Sequence, residues 1–98
     1  MSRSNQSQAK HDELVKNLAK EYLEKGFRVK VDLDGYNRPG MIRGYRPDII
    51  AIQGDQTKIV EVETEDTKES RRSKAQQEAF RQEADANTNT TFTKRVAK

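Results

Sequence analysis

The chain has 98 residues, of which 32% are hydrophobic and 36% charged; it has no Cys, one His and a formal net charge of +3 at pH 7. That length allows one domain with a thin core, and the lack of Cys excludes disulfides and thiolate-held metals. No apolar run approaches the roughly 20 residues of a membrane span and no signal-peptide pattern is present, so a cytoplasmic protein without membrane contact is expected.

The first seven residues, Met1 to Ser7, are polar and unpatterned and read as a flexible tail, leaving 8–98 as a single domain. From Gln8 to Lys25, Leu14, Val15, Leu18, Ala19, Tyr22 and Leu23 recur at three- and four-residue intervals, which predicts one amphipathic helix stopped by Gly26. His11 shares that face and is expected to tuck against a sheet; with no second His, a zinc site is not expected. Phe27, Val29, Val31 and Leu33 alternate with charged residues, the pattern of a half-buried strand. The stretch 34–44 holds Gly35, Asn37, Pro39, Gly40 and Gly44 and reads as a long loop. Residues 45–52 form an apolar second strand, 53–57 a hairpin turn and 58–64 a third strand. A second helix is expected from Ser70 or Ser73 to Ala86, with Ala75, Ala79, Phe80 and Glu83 turned inward, and a last strand over 91–96. The order α-β-β-β-α-β belongs to the α/β or α+β classes.

The two central strands deliver Asp48, Glu61 and Glu63 to one end of the sheet. With a turn near Asp55, positions 48 and 61 lie opposite each other, about 5 Å apart, a separation that suits a shared cation. Glu61 and Glu63 point to one face and Val62 to the other. Pro47 removes a backbone donor just before Asp48 and favours a break in pairing there. Gathered carboxylates repel unless a cation sits among them. Their hard oxygens favour Mg²⁺, or Mn²⁺, and in an otherwise basic chain this suggests phosphodiester chemistry. Glu13, early in the first helix, would be an outer ligand. The competing reading makes these acids solvated residues of an outer sheet face. It fits Glu65, Asp66 and Glu69 well and fits Asp48, a poor strand former among apolar neighbours, badly.

Pro47-Asp48, then twelve residues, then Glu61-Val62-Glu63 resembles the motif of the PD-(D/E)XK nuclease superfamily, which includes restriction enzymes and archaeal Holliday-junction resolvases. The resemblance covers about residues 11–96. It implies a restriction-endonuclease-like minimal core: a central mixed four-stranded sheet flanked by two helices, α-β-β-β-α-β. It also implies a DNA-binding, Mg-dependent endonuclease in which Asp48 and Glu61 hold the ion together with the Val62 carbonyl. Glu13 matches an acidic position of the first helix in many members. Gln76-Gln-Glu-Ala-Phe80 is similar to a Q-x-x-x-Y signature, with Phe80 for Tyr, and implies a supporting role for Gln76. The departure is Glu63, where most members carry Lys. Three outcomes stand open: Glu63 acts as the base, Lys74 on the second helix supplies the missing amine, or only binding survives.

Arg38, Arg43, Arg46, Arg71, Arg72 and Lys74 come from the loops beside the acidic strands and would contact DNA phosphates. Ordinary solubilising charge is the competing reading. A homodimer is expected to supplement the thin core. The rival to an enzyme is a non-catalytic nucleic-acid-binding module, either a degenerate nuclease fold or a domain like those that bind double-stranded RNA, which also run α-β-β-β-α.

Overall fold

The computed structural model describes residues 4–98. The expected tail lies outside the described residues at 1–3, and its remainder is shorter than predicted. Ser4 caps a helix, α1 (Asn5–Glu24), by accepting the Ser7 N–H at 3.1 Å. A polar helix start carries no apolar period, which is why sequence periodicity places it later.

At its other end, α1 closes with two reverse bonds. Gly26 N–H donates to Leu23 C=O at 3.0 Å and Phe27 N–H to Tyr22 C=O at 2.9 Å, with Gly26 at φ +90°. This is the Schellman arrangement, which needs a left-handed residue and so selects Gly. The apolar contact that accompanies it is the edge-to-face pair Tyr22–Phe27, centroids 5.3 Å apart.

Four strands follow: β1 (Arg28–Val31), β2 (Ile49–Gln53), β3 (Gln56–Thr64) and, after helix α2 (Arg71–Ala86), β4 (Thr90–Ala97). Their spatial order is β1-β2-β3-β4, antiparallel except for the parallel β3–β4 pair. The fold is therefore α/β, a mixed four-stranded sheet flanked by two helices, as expected. The strands begin and end differently from the sequence reading. Phe27 is spent on the helix cap, so β1 starts at Arg28. The predicted second strand 45–52 begins only at Ile49: Tyr45 closes its own tight turn with Ile42, and Pro47 has no N–H to offer a ladder.

One sheet face packs on α1 through Val15, Leu18, Val31, Ile49, Val60 and Val62. The other is covered by α2 only above β3 and β4, where Phe80 is fully buried and meets Phe92 at 5.9 Å. The inward residues of α2 are Ser73, Gln77, Ala79 and Phe80, whereas Ala75, expected inside, is exposed. A helix laid across two strands buries a narrow stripe, and Ser73, Gln77 and Phe80 fall on it at four- and three-residue steps.

Segment 32–47 stands over the end of β2. It is ordered by its own bonds: Val31 N–H donates to Asn37 C=O at 2.8 Å, Arg46 Nη1 donates to Pro39 C=O at 2.8 Å, and Pro39 and Pro47 are fully buried. A two-residue turn at Arg43 (φ +51°) and Gly44 (φ +89°) reverses the chain between Ile42 and Tyr45. Between this segment and the start of α2, the sheet end is left open.

Candidate active site

The opening is a cleft of about 550 Å³. Its floor is the end of β2 and β3, one wall is segment 32–47 and the other is the first turn of α2. The β2–β3 ladder ends at Ile49 opposite Val60, so the next step sets Asp48 opposite Glu61. Cross-strand partners point to the same face, and both carboxylates line the cleft. Glu63, two residues on, joins them on that face, while Val62 is buried in the core on the other side.

All three acids are buried: Asp48 is 8% exposed, Glu61 5% and Glu63 1%. That excludes the solvated outer-face reading for them. It holds for Glu65, Asp66 and Glu69, which are exposed. Asp48 Oδ2 accepts the Val62 N–H at 2.8 Å, and the Asp48 N–H donates to Glu61 Oε1 at 3.3 Å. Glu63 Oε1 accepts from the Thr67 hydroxyl at 3.2 Å. Burial first, then the charge of Asp48 and the side-chain bond to it, and then the charge of Glu63 push the Glu61 carboxyl up to about 10. Glu61 therefore holds a proton between itself and Asp48 at neutral pH.

A divalent ion fits this pair by the chemistry of its donors. Two hard-oxygen carboxylates meet at the floor of an open cleft, and a shared proton marks the place where a cation would relieve their repulsion. Among the described residues, no group of three His, Cys, Asp or Glu side chains is assembled tightly enough to hold an ion by itself. The remaining positions would fall to water, which Mg²⁺ retains readily.

The other expected residues divide by position. Gln76 lines the cleft, half-buried, and so do Arg46 and Arg72. Arg72 lies over the Tyr45 ring at 5.8 Å, linking the two walls. Glu13 is not brought to the acids. It is exposed on the far side of α1, because it lies two residues, about half a helical turn, from both His11 and Val15, which face the sheet. Lys74 does not line the cleft either; it is exposed and lies 3.4 Å from Glu69. Arg38 is engaged by Asp32 and by Asp34 at 2.7 Å, and Arg43 by Glu83 at 3.2 Å. Arg71 is exposed outside the cleft.

Three residues near the acids were given no site role from sequence. Thr67 and Ser73 are buried cleft-lining residues, and His11 reaches Asp48 from α1. The apolar phase of α1 did place His11 on the inner face, but periodicity does not name the partner across the interface.

The family model described as AHJR-like, REase_AHJR-like, matches residues 2–93. The chain belongs to this restriction-endonuclease-like family. A search among curated proteins and among solved structures found no match. Membership agrees with the parallel fourth strand built into the sheet, which a double-stranded-RNA-binding arrangement does not need. Membership of a restriction-endonuclease-like family points to a nuclease-type domain. Among the described residues, no helix is long and apolar enough to cross a membrane.

Proposed function

We propose that this restriction-endonuclease-like domain binds DNA across the cleft and hydrolyses a phosphodiester bond with the help of Mg²⁺ or Mn²⁺. The observation that carries the reading is the pairing of Asp48 with Glu61 on a buried floor, beneath a rim that presents Arg46 and Arg72. Asp48 and Glu61 would hold the ion, with the Val62 carbonyl as a third protein ligand. The ion would supply Lewis-acid stabilisation of the phosphate and a more acidic water. Arg46 and Arg72 would seat the flanking phosphates and fix the strand over the floor. Glu63 lines the cleft beside the pair and would accept the proton of the attacking water. As the water oxygen bonds to phosphorus, the bond to the leaving sugar oxygen breaks, and solvent protonates that oxygen. Gln76 supports the floor from α2.

A second reading, DNA binding without cleavage, draws on one observation: among the described residues no Lys lines the cleft, and Glu63 stands where a Lys is usual. The two readings separate by experiment. On duplex, branched and single-stranded DNA with Mg²⁺ or Mn²⁺, wild type should cleave, and Asp48→Ala should lose several orders of magnitude in rate while staying folded. With Glu63 as the base, Glu63→Lys should lower cleavage. Wild type without cleavage, but with DNA bound in the cleft, leaves the binding reading.

A further inference from the structure

His11 stands behind Asp48, on the α1 face that packs against the sheet. Its ring bridges two carboxylates: Nδ1 is 2.9 Å from Asp12 Oδ1, and Nε2 is 3.1 Å from Asp48 Oδ1. The residue is 5% exposed and does not line the cleft. The opposite oxygen of Asp48 accepts the Val62 N–H. Each oxygen of this carboxylate is thus held by a different element, Oδ1 by α1 and Oδ2 by β3. A carboxylate oxygen has two lone pairs, so these two contacts leave one on each oxygen, and the Glu61 carboxyl, hydrogen-bonded to Asp48, takes up one of them until a cation replaces its proton.

We propose that His11 is a positioning residue of the candidate metal centre: it fixes the Asp48 carboxylate in the orientation that holds a divalent ion, and Asp12 fixes the imidazole in turn. The inference rests on the metal reading of Asp48 and Glu61. Asp48 lies just outside the β2 ladder, after Pro47, where strand pairing alone leaves its side chain free to rotate. Rotation about its last torsion is soft, because a terminal sp³–sp² torsion has broad minima. The contact from His11 removes that freedom. Partners of this kind behind a ligand typically change metal affinity by about 10- to 100-fold when they are lost. An ordinary core residue at this position would pack without a polar contact at each ring nitrogen.

The test is Mn²⁺ binding by calorimetry to metal-free protein, for wild type, His11→Leu, His11→Gln and His11→Asn. Leu keeps the bulk and removes both contacts. Gln carries an amide out to the position of Nε2, whereas Asn reaches only that of Nδ1. The expected result is affinity within about threefold of wild type for Gln, and weaker by roughly 10- to 100-fold for Leu and Asn. The Val62 amide resonance should move in Leu and Asn without any metal, since Asp48 Oδ2 is then no longer held in place. A folded His11→Leu variant that binds Mn²⁺ within about twofold of wild type, with Val62 unmoved, overturns the inference. If the Leu variant does not fold, equal affinities in Asn and Gln overturn it. Wild type that binds no Mn²⁺ overturns the underlying metal reading and this inference with it. Wild type that binds while its variants do not differ overturns this inference alone.

Discussion

Glu61 couples the candidate chemistry to the stability of the fold. Its carboxyl is raised in the folded chain, from 4.5 to about 10, by burial and by Asp48. Between those values the folded state binds more protons than the unfolded state, so stability falls as pH rises. The contribution is complete below the unfolded value and is lost as pH climbs through the folded one. Glu61→Gln keeps a neutral hydrogen-bonding group of the same size and removes the titration. Urea unfolding of metal-free protein should therefore show the two chains nearly equal at pH 4, and the variant more stable by at least about 1 kcal/mol at pH 8. A wild-type curve that stays flat from pH 5 to 8 would contradict the raised carboxyl.

Among the elements, α2 both roofs the second sheet face and forms a wall of the cleft. Its first turn depends on Ser70, whose side chain accepts the Ser73 N–H at 3.1 Å. Ser70→Ala leaves that donor without its cap and should cost about 1 kcal/mol, within the roughly 0.5–2 kcal/mol range of such losses. Ser70, Arg72 and Ser73 all line the cleft, so the same change should loosen its wall. Hydrogen exchange should quicken first at amides 72–74 and leave the α1 amides unaffected. Uniform acceleration across both helices would instead mean that α2 has no local opening of its own.

At the scale of the whole molecule, the cleft has an acidic floor and a basic rim, in a chain of net charge +3. Binding of duplex DNA should weaken steeply as salt rises, through counterion release. Arg72 lines the cleft, whereas Arg43 is tied to Glu83 on α2. Arg72→Ala should therefore lower the slope of log affinity against log salt by about 1, evenly across DNA sequences. Arg43→Ala should leave the slope nearly unchanged. Fluorescence anisotropy between low and moderate salt measures both, and equal losses for the two variants would remove the distinction between rim and surface arginines.

The sequence alone determined the order of the elements and placed Asp48 across from Glu61, while the family resemblance narrowed α/β or α+β to α/β. The order and the pairing follow from periodicity and from the length of a hairpin, which are local quantities. The E-x-E departure was equally plain, because it is a matter of residue identity. Only the tertiary structure decided which charged side chains share the cleft. The exposed ends of Glu13, Lys74, Arg38 and Arg43 are set by helix phase, by nearby acids such as Asp34 beside Arg38 and Glu69 beside Lys74, and by a distant one, Glu83, forty residues from Arg43. His11 shows the same division. Its phase along α1 placed it inside, but its bond to Asp48 exists only because α1 packs across the end of β2, and packing between elements is not written in the spacing of either one.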